Sequence, residues 1–264
     1  MKNSFKDLEN KNVVITGGLG FLGKQFLKSF VDNNSNVIIL DIKSKNEIPK
    51  EFINIKNVSY YKCNISKEKE LIKLSKIIYR KFKNLDVLIN GASNDYVPKN
   101  KLKNNFSLET FNTSDWDKDI QVGLKGVFLS TKIFGSLMKK NPKGGSIINI
   151  SSDLGIISPD QRIYKKLNFF KPISYSAIKH GVIGLTKYTA TYWAKYKIRC
   201  NAIAPGGMYN NQNKNFLKEV KKLIPMNRLG KLDEYNSIVL FLASESSSYI
   251  TGSTVVIDGG RTIW

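Results

Sequence analysis

The stretch VVITGGLGFLG, residues 13–23, decides the fold. It opens on a short apolar run of β-branched residues, which is typical of a buried strand. Gly17, Gly20 and Gly23 follow, and apolar residues then recur at helical spacing over residues 21–31. Such glycines permit a tight turn and let the backbone approach a phosphate group, which the N-terminal end of the helix attracts. The stretch therefore predicts a strand, a phosphate-binding turn and a helix.

Apolar runs and amphipathic stretches alternate along the rest of the chain. Strands are predicted at residues 37–41, 58–63, 86–90, 146–150, 198–204 and 254–257, and helices at 68–82, 116–138, 175–194 and 232–243. Continuous apolar strands that alternate with helices form parallel sheets covered on both faces. The prediction is thus an α/β protein, with a Rossmann-type doubly wound parallel sheet of about seven strands and helices on both faces.

We find no linker that would divide residues 1–264, so a single domain of this Rossmann type is expected. Three loop-like insertions, at about 94–112, 156–173 and 206–225, follow the carboxyl ends of predicted strands. Doubly wound folds bind ligands at that edge, so these segments are candidate substrate-binding walls. The alternative is that they are tolerated surface insertions.

The end of the second predicted strand indicates which cofactor is bound. Asp41 lies there, and a carboxylate at this place accepts hydrogen bonds from ribose hydroxyls and repels the 2′-phosphate of NADP. NAD(H) is therefore favoured over NADP(H). Lys43, two residues further on, softens that repulsion.

Composition excludes several classes of protein. The net charge is +21, but only five of the 42 basic residues are arginines and the lysines are scattered, so we expect no nucleic-acid partner. A positive field can instead attract an anionic small-molecule substrate. Residues 1–10 are charged and lack an apolar core, and no apolar run is long enough to span a membrane. The chain has only two cysteines, Cys63 and Cys200, and both lie in strand-like contexts where we expect buried thiols. Free thiols are typical of a reducing compartment, so a cytoplasmic location is predicted. No Cys/His cluster suggests a metal.

Tyr175 and Lys179 form the candidate catalytic pair. They are four residues apart on a predicted helix and therefore share one face. A phenol with a pKa of about 10 is a poor acid or base at neutral pH, and a nearby ammonium lowers that pKa. Tyr175 can then exchange a proton with a substrate oxygen while a hydride moves at the nicotinamide.

At this point the chain resembles the single-domain branch of the short-chain dehydrogenase/reductase superfamily. The resemblance runs from about Lys11 to Gly260 and rests on ordered motifs: the glycine turn, residues 90–92 (NGA), 148–152 (INISS), 175–179 (YSAIK), 201–206 (NAIAPG), 250–252 (ITG) and 258–260 (DGG). The Lys-rich loops and residues 159–162 are also similar to members near surface-glycan and flagellin-modification pathways.

The resemblance implies roles for individual residues. Ser152 would bind the substrate oxygen, Tyr175 would be the acid/base, and Lys179 would bind the nicotinamide ribose and tune Tyr175. The cofactor set is predicted as Thr16, Gly17, Gly20, Phe21, Leu22, Gly23, Asp41, Asn64, Ile65, Asn90, Gly91, Ala92, Tyr175, Lys179, Pro205, Gly206, Gly207 and Met208. A homotetramer or homodimer is also implied.

Four departures from the family pattern bear on these expectations. The glycine turn, with Phe21 after its second glycine, follows the nucleotide-sugar branch. Gly123 stands where the family has an Asn that holds a relay water, and Asn64 replaces an Asp near the adenine. Ser152 lies unusually far before Tyr175, which the insertion at residues 156–173 explains; Ser151 is the alternative serine.

Three functions follow as hypotheses. The first is an NAD-dependent oxidoreductase that interconverts a secondary alcohol and a ketone, on a sugar or nucleotide-sugar intermediate of surface-glycan biosynthesis. The second is a 3-oxoacyl carrier-protein reductase, whose acidic carrier suits a basic surface but whose usual NADPH is disfavoured by Asp41. The third is a catalytically weak NAD-binding structural or regulatory protein, for which Gly123 is the support.

Overall fold

A seven-stranded parallel sheet forms the centre of the molecule, with strand order β3-β2-β1-β4-β5-β6-β7. The computed structural model describes residues 5–94, 106–167 and 169–264. The strands are β1 (Asn12–Thr16), β2 (Asn36–Asp41), β3 (Val58–Lys62), β4 (Val87–Asn90), β5 (Gly145–Ile150), β6 (Ile198–Pro205) and β7 (Thr254–Ile257). The predicted doubly wound α/β class is confirmed.

Helices cover both faces of the sheet. They are α1 (Phe21–Val31), α2 (Glu68–Phe82), α3 (Thr113–Ile120), α4 (Gly126–Met138), α5 (Ile173–Trp193), α6 (Lys214–Lys221) and α7 (Asn236–Ala243). On β1, Val13 and Ile15 belong to the core formed with α1 and α7, while Val14 belongs to the core formed with α2, α4 and α5. This alternation follows from the period of two along a strand, which sends successive side chains to opposite faces.

The sheet reverses its winding between β1 and β4, which are direct neighbours. Thr16 pairs with Asn90 at the last position of the two strands, so the turns that follow both strands begin side by side. In open α/β sheets the crevice at such a point binds the ligand. The topology thus places the glycine turn and residues 91–92 at one edge.

The insertions differ from the loop-like segments that we predicted. Residues 206–225 contain α6, and residues 156–173 contain a 3₁₀ turn, Gln161–Leu167, and the first residue of α5. These two segments pack on one another because both carry apolar side chains. The shared cluster comprises Ile163, Tyr164, Phe169, Phe216, Val220, Ile224 and Leu229. Of the first insertion, 94–112, residues 95–105 lie outside the described residues.

The predicted helix over residues 116–138 begins earlier and is interrupted. It starts at Thr113 and passes through one π-helical turn, Gln121–Lys125, between α3 and α4. Cys63 and Cys200 are both free and buried, as predicted. No helix in the described part of the chain is long and apolar enough to cross a membrane.

Candidate active site

The glycine turn has the geometry that its sequence predicts. Gly17 adopts a φ of +67°, and a Cβ atom there would lie 2.7 Å from the Cα of Ala92. A Cβ on Gly23 would collide with the carbonyl oxygen of Gly17. Gly20 precedes α1 and has no side chain to cap the first N–H groups of the helix. These N–H groups and the bare backbone form a cradle suited to a pyrophosphate.

Asp41 ends β2 beside this turn. Its Oδ2 accepts a hydrogen bond from the backbone N–H of Leu19 (2.9 Å), and its Oδ1 accepts one from the N–H of Lys43 (3.0 Å). The carboxylate is thereby held at the end of β2 and is largely buried. Lys43 extends its ammonium to the carbonyl oxygen of Leu19 (3.3 Å) and to Glu47 (3.4 Å).

Other predicted cofactor residues use their side chains inside the protein. The fully buried Thr16 hydroxyl accepts a hydrogen bond from the N–H of Gly91 (3.2 Å). The Asn90 amide donates to Thr131 (3.0 Å) and to Asn149 (2.8 Å) under the sheet edge. The Thr16 hydroxyl and the Asn90 NH₂ group are thus committed to contacts within the protein.

Asn64 and Ile65 follow β3. The Asn64 Oδ1 accepts hydrogen bonds from the N–H and the hydroxyl of Ser66, which shape the turn before α2. Ile65 is buried, and a Cβ on Gly126 of α4 would lie 2.6 Å from its Cδ1. The side chain of Ile65 therefore serves packing.

The predicted catalytic residues come together at the other side of the crevice. Lys179 is buried, and its Nζ donates to the carbonyl oxygen of Ile150 (2.9 Å) at the end of β5. Its ammonium lies 5.5 Å from the ring centroid of Tyr175. Ser152 is the second residue after β5, so its hydroxyl is positioned by the end of the sheet, and the Tyr–Lys pair is positioned by α5.

Ser151 and Ser152 differ in what their hydroxyls contact. Ser151 Oγ donates to the backbone carbonyl of Lys179 (2.8 Å), which ties β5 to α5. Ser152 Oγ donates to the Asp153 carboxylate (2.8 Å). Both serines line the cavity and both hydroxyls donate within the protein; the partner of Ser151 belongs to the backbone of α5, whereas the partner of Ser152 is a side chain that itself lines the cavity.

One cavity of about 230 Å³ unites most of the predicted site. Its lining includes the glycine turn, the candidate catalytic residues and the segment after β6. The predicted residues that line it are Gly17, Gly20, Phe21, Leu22, Gly23, Gly91, Ser152, Tyr175, Lys179, Pro205, Gly206, Gly207 and Met208. The described residues include no cluster of His, Cys, Asp or Glu that could hold a metal ion.

Comparisons with known proteins agree with this geometry. A family model described as Enoyl-(Acyl carrier protein) reductase matches residues 22–262. A 3-oxoacyl-[acyl-carrier-protein] reductase of Thermotoga maritima is 34% identical, over 97% of this chain and 99% of the relative. An NAD-dependent glycerol dehydrogenase of Listeria innocua is 30% identical, over 97% of this chain and 96% of the relative.

The chain belongs to the short-chain dehydrogenase/reductase family. Among solved structures, a short-chain dehydrogenase from Leptospira borgpetersenii with bound NAD⁺ matches with a TM-score of 0.88 at 31% identity, covering 100% of this chain and 97% of that one. This short-chain dehydrogenase/reductase is an oxidoreductase that acts on a CH–OH group with NAD(P) as acceptor.

Three charged residues of this short-chain dehydrogenase/reductase line the cavity although motif reasoning missed them: Asp153, Lys171 and Arg261. Lys171 is buried, and its Nζ lies 3.9 Å from the ring centroid of Tyr175. Gln161 fixes the backbone of Lys171 through two hydrogen bonds, at 3.0 and 3.1 Å. Asp153 could have been suspected from its place beside Ser152, and Lys171 lies in the insertion 156–173 that was predicted as a substrate-binding wall, but nothing in the sequence ties Arg261 to the site.

Gly123 also has a structural explanation. It lies in the π-helical turn, where a Cβ atom would be 2.8 Å from Cγ2 and 3.0 Å from Cδ1 of the buried Ile178. The space that an Asn side chain would need is therefore filled by Ile178 from α5. Gly123, in place of the family's Asn, is therefore accompanied by the bulky Ile178, which lies between Tyr175 and Lys179 in the chain.

Proposed function

We propose that this protein is an NAD-dependent oxidoreductase that interconverts a secondary alcohol and a ketone, with Ser152, Tyr175 and Lys179 at its catalytic centre. The observation that carries the proposal is the shared cavity, in which these three residues lie opposite the glycine turn. The tight turn at residues 17–23, in which a Cβ on Gly17 or Gly23 would collide with the backbone, leads into the uncapped start of α1, and this arrangement fits the pyrophosphate of a dinucleotide.

The residues divide the proton chemistry among them. A bound nicotinamide supplies or accepts the hydride. Tyr175 Oη donates a proton to the substrate oxygen in reduction and takes one in oxidation. Ser152 binds the same oxygen and orients it. The ammonium groups of Lys179 and Lys171, 5.5 and 3.9 Å from the Tyr175 ring, stabilise negative charge as it develops there.

NAD(H) is the proposed cofactor because the Asp41 carboxylate is held at the end of β2 by two backbone N–H groups. A fixed negative charge at this place opposes a 2′-phosphate and accepts from ribose hydroxyls. Lys43 does not cancel that charge, since its ammonium is shared with Glu47.

A sugar-derived, anionic molecule is the proposed substrate, a nucleotide-linked sugar included. Lys171 brings positive charge into the cavity beside Tyr175, and the net charge of +21 attracts anions over a longer range. Relatives named glucose 1-dehydrogenase and aldohexose dehydrogenase, 32% and 27% identical, support a sugar as the class of substrate.

Two alternatives remain specific enough to test. A 3-oxoacyl carrier-protein reductase is favoured by the Thermotoga maritima relative and by the attraction between a basic surface and an acidic carrier. A catalytically weak NAD-binding protein is favoured by Gly123 and Ile178, which leave no room for the family's Asn side chain.

The test begins with fluorescence titration of NADH and NADPH, followed by NADH oxidation with keto-sugars, nucleotide keto-sugars and 3-oxoacyl thioesters. Tyr175→Phe should bind NADH as the wild type does and lose turnover by about 10²–10⁴-fold, because only the transferable proton is removed. Tyr249→Phe, at a fully exposed tyrosine, is the control. Retained turnover in Tyr175→Phe would reject the proposed role. Turnover of thioesters alone supports the carrier-protein alternative, and tight NADH binding without any turnover supports the third.

We also propose that the protein forms a homodimer or homotetramer through α4 and α5. An apolar groove between these helices is open to solvent, and Phe128 and Tyr188 on it are 47% and 66% exposed. Exposed apolar surface of this kind is typical of an interface. Light scattering should show an oligomer that Tyr188→Glu dissociates; a wild-type monomer would contradict the proposal.

The free thiols of Cys63 and Cys200 suit the cytoplasm as the location of the protein.

A further inference from the structure

A buried ion pair lies directly behind Ser152. The Nη1 of Arg261 is 2.9 Å from Oδ2 of Asp153, and the two side chains are only 6% and 4% exposed. Arg261 lies 108 residues further along the chain and reaches the site from the turn after β7. Buried charges are costly unless they are paired and hydrogen-bonded, so this pair is retained against a desolvation penalty.

The two oxygens of the Asp153 carboxylate have different partners. Oδ2 receives Arg261, whereas Oδ1 accepts from the Ser152 hydroxyl (2.8 Å) and from the backbone N–H of Leu154 (2.8 Å). The same N–H of Leu154 also donates to Ser152 Oγ (3.1 Å). Because an ionised carboxylate only accepts, the Ser152 proton points to Asp153. The direction of the Ser152 hydroxyl is therefore set by a group that Arg261 holds.

The turn that delivers Arg261 is itself firmly built. Asp258 accepts hydrogen bonds from the N–H groups of Gly260 (2.8 Å) and Thr262 (2.7 Å), and Gly260 adopts a φ of +91°. Gly206, in the proposed cofactor segment, packs so closely on this turn that a Cβ would lie 2.7 Å from the Cα of Asp258.

We propose that Asp153 and Arg261 are positioning residues for the reaction: Arg261 holds Asp153, and Asp153 together with the N–H of Leu154 holds Ser152 Oγ at the place from which its proton turns to a substrate ketone oxygen. The proposal rests on the proposed function, in which Ser152 touches that oxygen. It extends that function by making the turn after β7 part of the active site.

The test compares Arg261→Met, Asp153→Asn and the double variant Asp153→Asn/Arg261→Met. We expect Arg261→Met to lower kcat by about 10²-fold, because misplacement of a catalytic group by ~1 Å costs that much, with NADH affinity unchanged. The double variant should recover part of the kcat, because no unpaired carboxylate remains beside Ser152. Arg261→Lys, which keeps the charge, should retain more activity than Arg261→Met. Lys132→Met removes the partner of a surface ion pair with Glu68 (2.8 Å) and should leave kcat unchanged.

The same Arg261→Met change, made in a Ser152→Ala enzyme, distinguishes a positioning role of Arg261 from a merely structural one. If Arg261 acts through Ser152, Arg261→Met adds no further loss to Ser152→Ala, whereas a merely structural role gives additive losses. A folded Arg261→Met enzyme with wild-type kcat overturns the proposal, as does an equal loss of NADH binding and turnover. If Ser152→Ala is itself fully active, the proposed function of Ser152 has failed instead.

Crystal structures provide a readout that needs no turnover. In Arg261→Met, or in Asp153→Ala if the first variant does not fold, Ser152 Oγ should leave the position that it occupies 2.8 Å from Oδ1 of Asp153. An unmoved Ser152 hydroxyl in the folded variant would contradict the proposal, whatever the substrate is.

Discussion

Gly123 and Ile178 form a packing pair whose energetics can be worked out from the structure. A Cβ on residue 123 would lie 2.8 Å from Cγ2 of Ile178, 3.0 Å from its Cδ1 and 3.4 Å from its Cγ1. Ile178 is buried with Val127 and Val182, so it has little room to move. Gly123→Asn therefore inserts a side chain into occupied space.

The expected cost follows from two opposing effects. Overpacking a core costs about 1–3 kcal/mol, and exchanging Gly for Asn inside a helix returns roughly 0.3 kcal/mol. Ile178→Ala alone should cost about 2–4 kcal/mol through the cavity that it leaves. In the double variant each change relieves the other, so the loss should fall short of the sum by about 1–3 kcal/mol.

Ile178→Val is the matched control for this double-mutant cycle. Valine lacks Cδ1 but keeps a methyl at Cγ2, the atom closest to the new side chain, so Gly123→Asn/Ile178→Val should remain strained. Thermal and urea unfolding measure the effect, with roughly 2–4 °C in Tm for each kcal/mol. A single Gly123→Asn variant as stable as the wild type, or strictly additive losses with Ile178→Ala, would refute this reasoning.

Further predictions concern the cofactor, the glycine turn and the thiols. Asp41→Ala should weaken NADH binding by about tenfold, because a charged acceptor is lost, and should bring the dissociation constants for NADH and NADPH closer together in the fluorescence titration. Asp41→Asn, which keeps the size of the side chain, is the control. An unchanged ratio of the two dissociation constants would mean that Asp41 is not the ribose ligand. Gly17→Ala should lower the free energy of unfolding by about 2–4 kcal/mol, because residue 17 has a left-handed backbone conformation and its new Cβ would press on backbone atoms of Ala92. A variant as stable as the wild type in urea would contradict this geometry of the glycine turn. Burial raises the pKa of both Cys63 and Cys200 to about 12 from 9.0, so the folded state keeps these thiols protonated. The stability that they contribute is present below about pH 9 and is lost between pH 9 and 12, about 1 kcal/mol per thiol at pH 10. Urea titrations across this range should show a smaller alkaline loss in Cys200→Ala than in the wild type, and equal slopes would contradict the assignment.

Local pattern was enough to predict the strands and much of the helical structure. The helices at residues 21–31 and 68–82 and the strand at 254–257 have their predicted bounds, because each combines a clear period with a glycine or a charged residue at its end. The helix α6 was missed within residues 206–225. Three of its eight residues are Lys, and its two buried side chains, Phe216 and Val220, pack in a cluster that includes Ile163, Tyr164 and Phe169 from a distant segment.

The candidate site divides in the same way. Ser152, Tyr175, Lys179 and the glycine turn could be named from the sequence, because each belongs to a short motif whose neighbours in the chain determine its geometry. Local sequence was therefore sufficient to predict the motif residues that line the cavity.

Tertiary structure alone decided how that centre is supported. Arg261 and Asp153 are distant in sequence, and nothing local indicates that they pair, since a buried ion pair depends on where the turn after β7 meets the end of β5. The same holds for Lys171 beside Tyr175, and for Ile178 in the space above Gly123. The sequence by itself determined the α/β class and predicted the glycine turn and the candidate catalytic residues, through local periodicity and backbone freedom. The charges and side chains that surround these residues were decided by contacts between distant segments. Such contacts depend on how the segments pack once the sheet has formed, so local sequence does not reveal them.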